Sequence, residues 1–91
     1  MTKEIAYDTP IESLPNLGPI SSQWLREVGI HSLADLRKLG PVLAYRMVKQ
    51  RQSRCSLNLL WALAAGIQGK DWRELSSIEK QRLRDALRDE D

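Results

Sequence analysis

Apolar residues recur along this chain at the three- and four-residue spacings of helices. No run of four or more alternates polar and apolar in the manner of a half-buried strand. The pattern predicts a compact, all-α bundle of four or five short helices. Ile20, Trp24, Leu25 and Val28 share one face of a helix over residues 19–28. Pro19 suits its first position, where a missing N–H costs nothing. Gly29 is a left-handed terminator, and Ile30 can pack back onto the helix it ends. Ser32 opens a second helix with Asp35 three residues on, a variant of the capping box, and Leu33, Leu36 and Leu39 point inward. Gly40 closes it and Pro41 starts a third, over residues 41–52. There Leu43, Ala44, Met47 and Val48 form the inner side and Tyr45, Arg46 and Lys49 the outer. A fourth helix, residues 57–68, is apolar almost all round, as the buried centre of a bundle is. Its small side, Asn58, Ala62, Ala65 and Gly66, suits a close helix contact. Residues 71–75 read as a tight turn tucking Trp72 under the bundle. Ser76 and Glu79 form a capping box for a last helix over residues 77–87, with Ile78, Leu83, Ala86 and Leu87 inward. Residues 10–14 read as a short turn or helix. A flexible segment is expected at residues 1–11, the helical domain at 12–88, and an acidic tail at 89–91.

Composition narrows the functions open to such a bundle. Ninety-one residues make one domain, large enough to hold a core without staples. One cysteine, Cys55, excludes an internal disulfide framework, and one histidine, His31, leaves no ligand set for zinc. Neither supplies the base and oxyanion site that a nucleophile needs, and no glycine-rich nucleotide loop occurs. The reading is therefore non-catalytic, with no metal and no cofactor. No signal peptide and no apolar run of spanning length is visible, so a cytoplasmic protein without membrane attachment is expected. The three tryptophans, Trp24, Trp61 and Trp72, are assigned to the core.

The net charge of +2 conceals a segregation. Residues 37–70 carry seven bases and no acid, while residues 1–36 carry two bases and five acids, and residues 71–91 five bases and seven acids. An acid-free basic stretch can attract phosphates or an acidic protein. It can equally be a solvated face neutralised by its flanks.

The sharpest local signal is Leu14-Pro15-Asn16-Leu17-Gly18-Pro19, a tight turn with a glycine directly before a helix start. Backbone N–H groups at such a turn, together with the helix dipole, form a donor cluster suited to a phosphate. With Val28-Gly29-Ile30 and Leu33-Ala34-Asp35-Leu36 behind it, the segment resembles a helix-hairpin-helix module. The likeness extends through Leu39-Gly40-Pro41-Val42, Ser56-Leu57-Asn58-Leu59-Leu60-Trp61-Ala62-Leu63, Gly69-Lys70-Asp71-Trp72 and Leu75. In that order and spacing, over about residues 12–87, the chain resembles the C-terminal domain of the TfoX/Sxy family of bacterial competence regulators. The resemblance implies a helix-hairpin-helix-related fold and a role in regulating DNA-uptake genes. It also implies a setting in proteins that usually carry a separate N-terminal domain, which these residues do not include.

Two functions follow. One is a regulatory module acting in competence or transcription through a protein partner. The other is a weak, sequence-independent nucleic-acid-binding domain. Its candidate contacts are Asn16, Leu17 and Gly18 of the hairpin, with Tyr45, Arg46, Lys49, Arg51 and Arg54 of the basic stretch. Asn16 stands where nucleic-acid-binding hairpins commonly have glycine, and Ile20 where a basic or small residue is common. Both favour the protein-interaction reading.

Overall fold

The computed structural model describes residues 9–89. The described residues form four α-helices, α1 (Pro19–Glu27), α2 (Leu33–Arg51), α3 (Leu57–Ile67) and α4 (Ser77–Asp89), with one 3-10 turn before α1 at Ile11–Ser13 and another between α3 and α4 at Trp72–Glu74. The described residues contain no strand. One isolated antiparallel bridge, Pro10 to Ser32, ties the start of the domain to the α1–α2 link. Ile11 N–H donates to the His31 carbonyl (2.9 Å) and Leu33 N–H to that of Thr9 (2.8 Å). Ile11 itself is fully buried. Ile11, the last residue of the segment expected to be flexible, is thus part of the core. Residues 1–8 of that segment and 90–91 of the acidic tail lie outside the described residues.

Punctuation decides the helix ends. Gly29 has φ 88°. Around it, Ile30 N–H donates to Leu25 O (2.9 Å) and Gly29 N–H to Arg26 O (3.0 Å), the paired bonds of a Schellman motif. Gly69 repeats the arrangement after α3, with Lys70 N–H on Ala65 O and Gly69 N–H on Gly66 O. The second and third expected helices form one run, α2, broken at Gly40, whose φ of 81° and ψ of 163° are not helical. Two arms, residues 33–39 and 41–51, meet at this Gly-Pro joint. Ser32 Oγ accepts the Asp35 N–H (3.3 Å), and Asp35 Oδ2 in return accepts the N–H of His31 (2.9 Å). Before α4, Ser76 and Glu79 exchange two bonds: Glu79 Oε1 accepts from Ser76 N–H (2.9 Å), and Ser76 Oγ accepts from Glu79 N–H (3.0 Å).

The core is centred on α3, whose residues from Leu59 to Gly66 are all buried. Around it lie Leu25, Ile30, Leu36 and Val48, with Leu14 and Leu17 of the hairpin. The small side of α3 does accept a close neighbour, but that neighbour is the hairpin rather than a helix. A Cβ on Gly66 would sit 3.5 Å from the carbonyl oxygen of Pro15.

Several side chains depart from their expected faces. The buried side of α2 beyond the joint is Ala44, Tyr45 and Val48, whereas Leu43 is 42% exposed. The helix is rotated by about one residue from the predicted face, which brings Tyr45 inward. The tyrosine ring offers more apolar surface than a leucine, and Leu87 of α4 lies beside it. Ile20 and Ile78, each at the start of a helix with its first turn in solvent, are exposed. Of the tryptophans only Trp61 is fully core; Trp24 is half-buried and Trp72 is 41% exposed. Lys80 and Arg84 of α4 lie over the Trp61 ring, at 5.7 and 5.4 Å from its centroid, and Lys80 also lies 5.7 Å from the Trp72 ring.

Candidate interaction surface

The hairpin is held by its own asparagine. Asn16 adopts φ 76°, a left-handed conformation that asparagine tolerates better than most residues. Its Nδ2 donates to the carbonyl of Lys70 (2.9 Å), and its Oδ1 accepts from the backbone N–H of Trp72 (3.1 Å). Both ends of the side-chain amide thereby bind the loop after α3. Leu17 is core. Gly18 alone of the three hairpin candidates is exposed. It is the N-cap of α1, which no side chain caps.

The basic stretch is largely occupied by the fold. Arg46 Nη2 donates to the carbonyl of Leu87 (2.9 Å), tying α2 to the end of α4. Lys49 Nζ donates to the carbonyls of Ser53 (2.9 Å) and Cys55 (2.7 Å), holding the turn between α2 and α3. Arg37 Nη2 reaches Ile67 O (3.1 Å), and Lys70 pairs with Glu79 (3.6 Å). Tyr45 is 5% exposed, and burial pushes its hydroxyl pKa up. Its ring cannot stack on a base, contrary to the expected outer position. Arg51 and Arg54 are exposed and have no hydrogen-bond or ion-pair partner among the described residues.

A groove of about 320 Å³ opens between the hairpin, α1, the turn before α3 and Trp72. Of the eight predicted site residues, it brings together Asn16 and Arg54. Tyr45, Arg46 and Lys49 line a different hollow, beside Leu87. Trp24, Ser21, Asn58 and Trp72 complete the walls of the first groove; the sequence pattern assigns the two tryptophans to the core and Asn58 to a helix contact, and none of the four to a site. The turn at residues 71–75 marks Trp72 in the sequence, but Trp24, which lines the same groove, is 48 positions away and leaves no local pattern. No carboxylate lines the groove. The adjacent Asp71 is held by Arg73, whose Nε and Nη2 donate to it at 3.2 and 3.1 Å, and the guanidinium draws the Asp71 pKa down. Cys55 forms part of the floor. It is buried, and desolvation raises its thiol pKa although Lys49 acts in the opposite sense, so the thiolate a nucleophile needs is disfavoured. Among the described residues no cluster of three or more His, Cys, Asp or Glu side chains could hold a metal ion. No described helix is long and apolar enough to cross a membrane.

Residues 7–87 match the TfoX C-terminal domain. The chain belongs to that family. It is 36% identical over 73 residues to the DNA transformation protein TfoX of Haemophilus influenzae. That alignment covers 80% of this chain and 34% of the relative, so the chain corresponds to about a third of it. Two crystal structures from Listeria monocytogenes share the TfoX-like fold seen here. One, an uncharacterized protein in a triclinic form, has a TM-score of 0.82 at 26% identity, covering 89% of this chain and 92% of that one. The other, a protein of unknown function in a tetragonal form, has a TM-score of 0.73 at 28% identity, covering 84% and 98%.

Proposed function

We propose that this domain is a non-catalytic regulatory module of bacterial competence that acts by binding a protein in the transcription or DNA-uptake machinery. The family supplies the biological setting. The observation that carries the mechanism is the use of the basic stretch: Arg37, Arg46, Lys49 and Lys70 hold backbone carbonyls or a carboxylate within the fold. A surface whose cations are spent internally has few left for phosphates, and phosphate contacts dominate affinity for DNA. Asn16, committed to Lys70 and Trp72, likewise leaves the hairpin serving the fold.

The test exchanges the corresponding region of the Haemophilus relative for this chain and measures transformation frequency and competence-gene transcripts. A second arm captures partners from nuclease-treated extract of a competent culture. Restored transformation together with a nuclease-resistant transcription or competence protein is the expected result. Transformation at the level of a deletion strain, or capture that disappears with nuclease, would remove the reading. A weak nucleic-acid-binding role is the second reading, supported by the uncapped, exposed Gly18 at the start of α1 and by unpaired Arg51 and Arg54.

A further inference from the structure

The groove between the hairpin and the start of α3 combines features that suit one kind of ligand. Trp24 and Trp72 give it broad apolar walls, and Trp72 is 41% exposed. Arg54 enters it as an exposed cation with no partner among the described residues. Ser21 and Asn58 add polar side chains, no acid lines it, and nearby Asp71 is neutralised by Arg73. Tryptophan and arginine are the residues that most often dominate binding energy where a partner docks. At about 320 Å³ the space lies at the small end of ligand sites, enough for one or two side chains of a docked segment.

We propose that this groove receives a short acidic segment of the protein partner, with a carboxylate on Arg54 and a neighbouring apolar side chain against Trp24 and Trp72. The proposal rests on the protein-interaction reading above and gives it an address. Charge complementarity selects the occupant: the lining is acid-free and carries an unpaired guanidinium, which binds a carboxylate in a bidentate geometry. A nucleic-acid strand fits less well. It would need a track of cations, and apart from Arg51 and Arg54 the basic stretch offers only Lys38, which lies before the Gly40 joint.

The full chain is used to select from a display library of random octapeptides, and the most enriched peptide is then titrated by heteronuclear NMR. The expected peptides carry Asp or Glu next to Leu, Phe or Trp. The expected shifts fall on the Trp24 and Trp72 indole N–H signals and on the backbone amides of residues 54–58. Arg54→Glu should weaken the selected peptide at least tenfold and Trp72→Ala at least fivefold. Lys38→Glu, with the same change of net charge outside the groove, should weaken it less than twofold. Circular dichroism and thermal unfolding verify that each variant is folded. An octamer of deoxythymidine is titrated in parallel at 150 mM salt. Three results overturn the proposal: no enrichment or enrichment of acid-poor peptides, equal weakening by Arg54→Glu and Lys38→Glu, or groove shifts with the oligonucleotide and not with peptide. Acidic peptides that bind away from the groove would refute the address while leaving the protein-interaction reading intact. That reading fails separately, through the exchange and capture experiments.

Discussion

Asn16 performs at once the two tasks that a hairpin glycine and a loop anchor would perform separately. It accepts a left-handed backbone, and it clamps Lys70 and Trp72 through its amide. The two can be separated by substitution. Asn16→Gly keeps the backbone relaxed but loses the clamp. With a net of about 0.5–1 kcal/mol for each of the two hydrogen bonds, it should cost about 1–2 kcal/mol. Asn16→Ala adds the left-handed penalty of about 1–2 kcal/mol, bringing the loss to about 2–4 kcal/mol. Urea unfolding of the three proteins measures both. Equal stability of the alanine and glycine variants would show that backbone conformation contributes nothing here. The asparagine was readable in the sequence as a turn residue able to tolerate positive φ. Its partners were not, because hydrogen bonds to residues 54 and 56 positions away leave no local pattern.

Among the elements, α3 is the clearest case of sequence dictating structure. Its all-round apolar surface announced burial, and residues from Leu59 to Gly66 are buried. Trp61 lies within that run with Lys80 and Arg84 over its ring, so Trp61→Ala should cost about 3–5 kcal/mol, measured as a shift in the denaturation midpoint at unchanged slope. The helix ends were equally legible: Gly29 and Gly69, Ser32 with Asp35, and Ser76 with Glu79 all act as their residue types suggest. Rotation about a helix axis was less so. Four apolar candidates on adjoining positions of α2 allow two faces about 100° apart, and docking of α4 beside Tyr45 selects between them. The groove was mostly hidden, because its walls come from four separate stretches of chain.

The caps also give the elements a pH signature. Donation from the His31 N–H lowers the Asp35 pKa, the Arg73 side chain lowers that of Asp71, and the Ser76 N–H lowers that of Glu79. A carboxyl whose folded pKa lies below its unfolded value stabilises the fold above the unfolded value, near pH 4 for these groups, and loses that contribution as pH falls through the folded one. Stability should therefore be flat from about pH 5 to neutrality and fall on further acidification. Asp35→Asn should make that acid fall shallower. Unfolding midpoints from pH 2 to 7 for the wild type and this variant would reveal it; identical acid slopes would exclude Asp35 as a contributor.

At the scale of the whole molecule, charge and fold have to be considered together. A stretch with seven bases and no acid invites a nucleic-acid reading. In the folded protein four of the seven hold backbone carbonyls or a carboxylate, and only Arg51 and Arg54 stand unpaired near one another in sequence. Duplex DNA should accordingly bind weakly. Two phosphate contacts give a log–log salt slope no steeper than about −1.8, a loss of about tenfold between roughly 50 and 200 mM salt. A fluorescence-anisotropy titration over that range checks it. A slope of −4 or steeper would mean that the internal cations are released to the ligand and would restore the nucleic-acid reading.

The clamp at Asn16 also has a consequence in time. It joins the hairpin to a loop more than fifty positions later, with the Gly40 joint and the whole of α2 and α3 between them. Closing so long a stretch of chain is entropically costly, so a contact of this kind forms after the helices have paired rather than before. Its loss should then appear almost wholly as faster escape from the native state. In stopped-flow experiments Asn16→Gly should raise the unfolding rate about five- to thirtyfold, the kinetic equivalent of about 1–2 kcal/mol, and leave the refolding rate nearly unchanged. What joins the two halves of the domain would therefore govern how long it stays folded, and hardly at all how quickly it gets there.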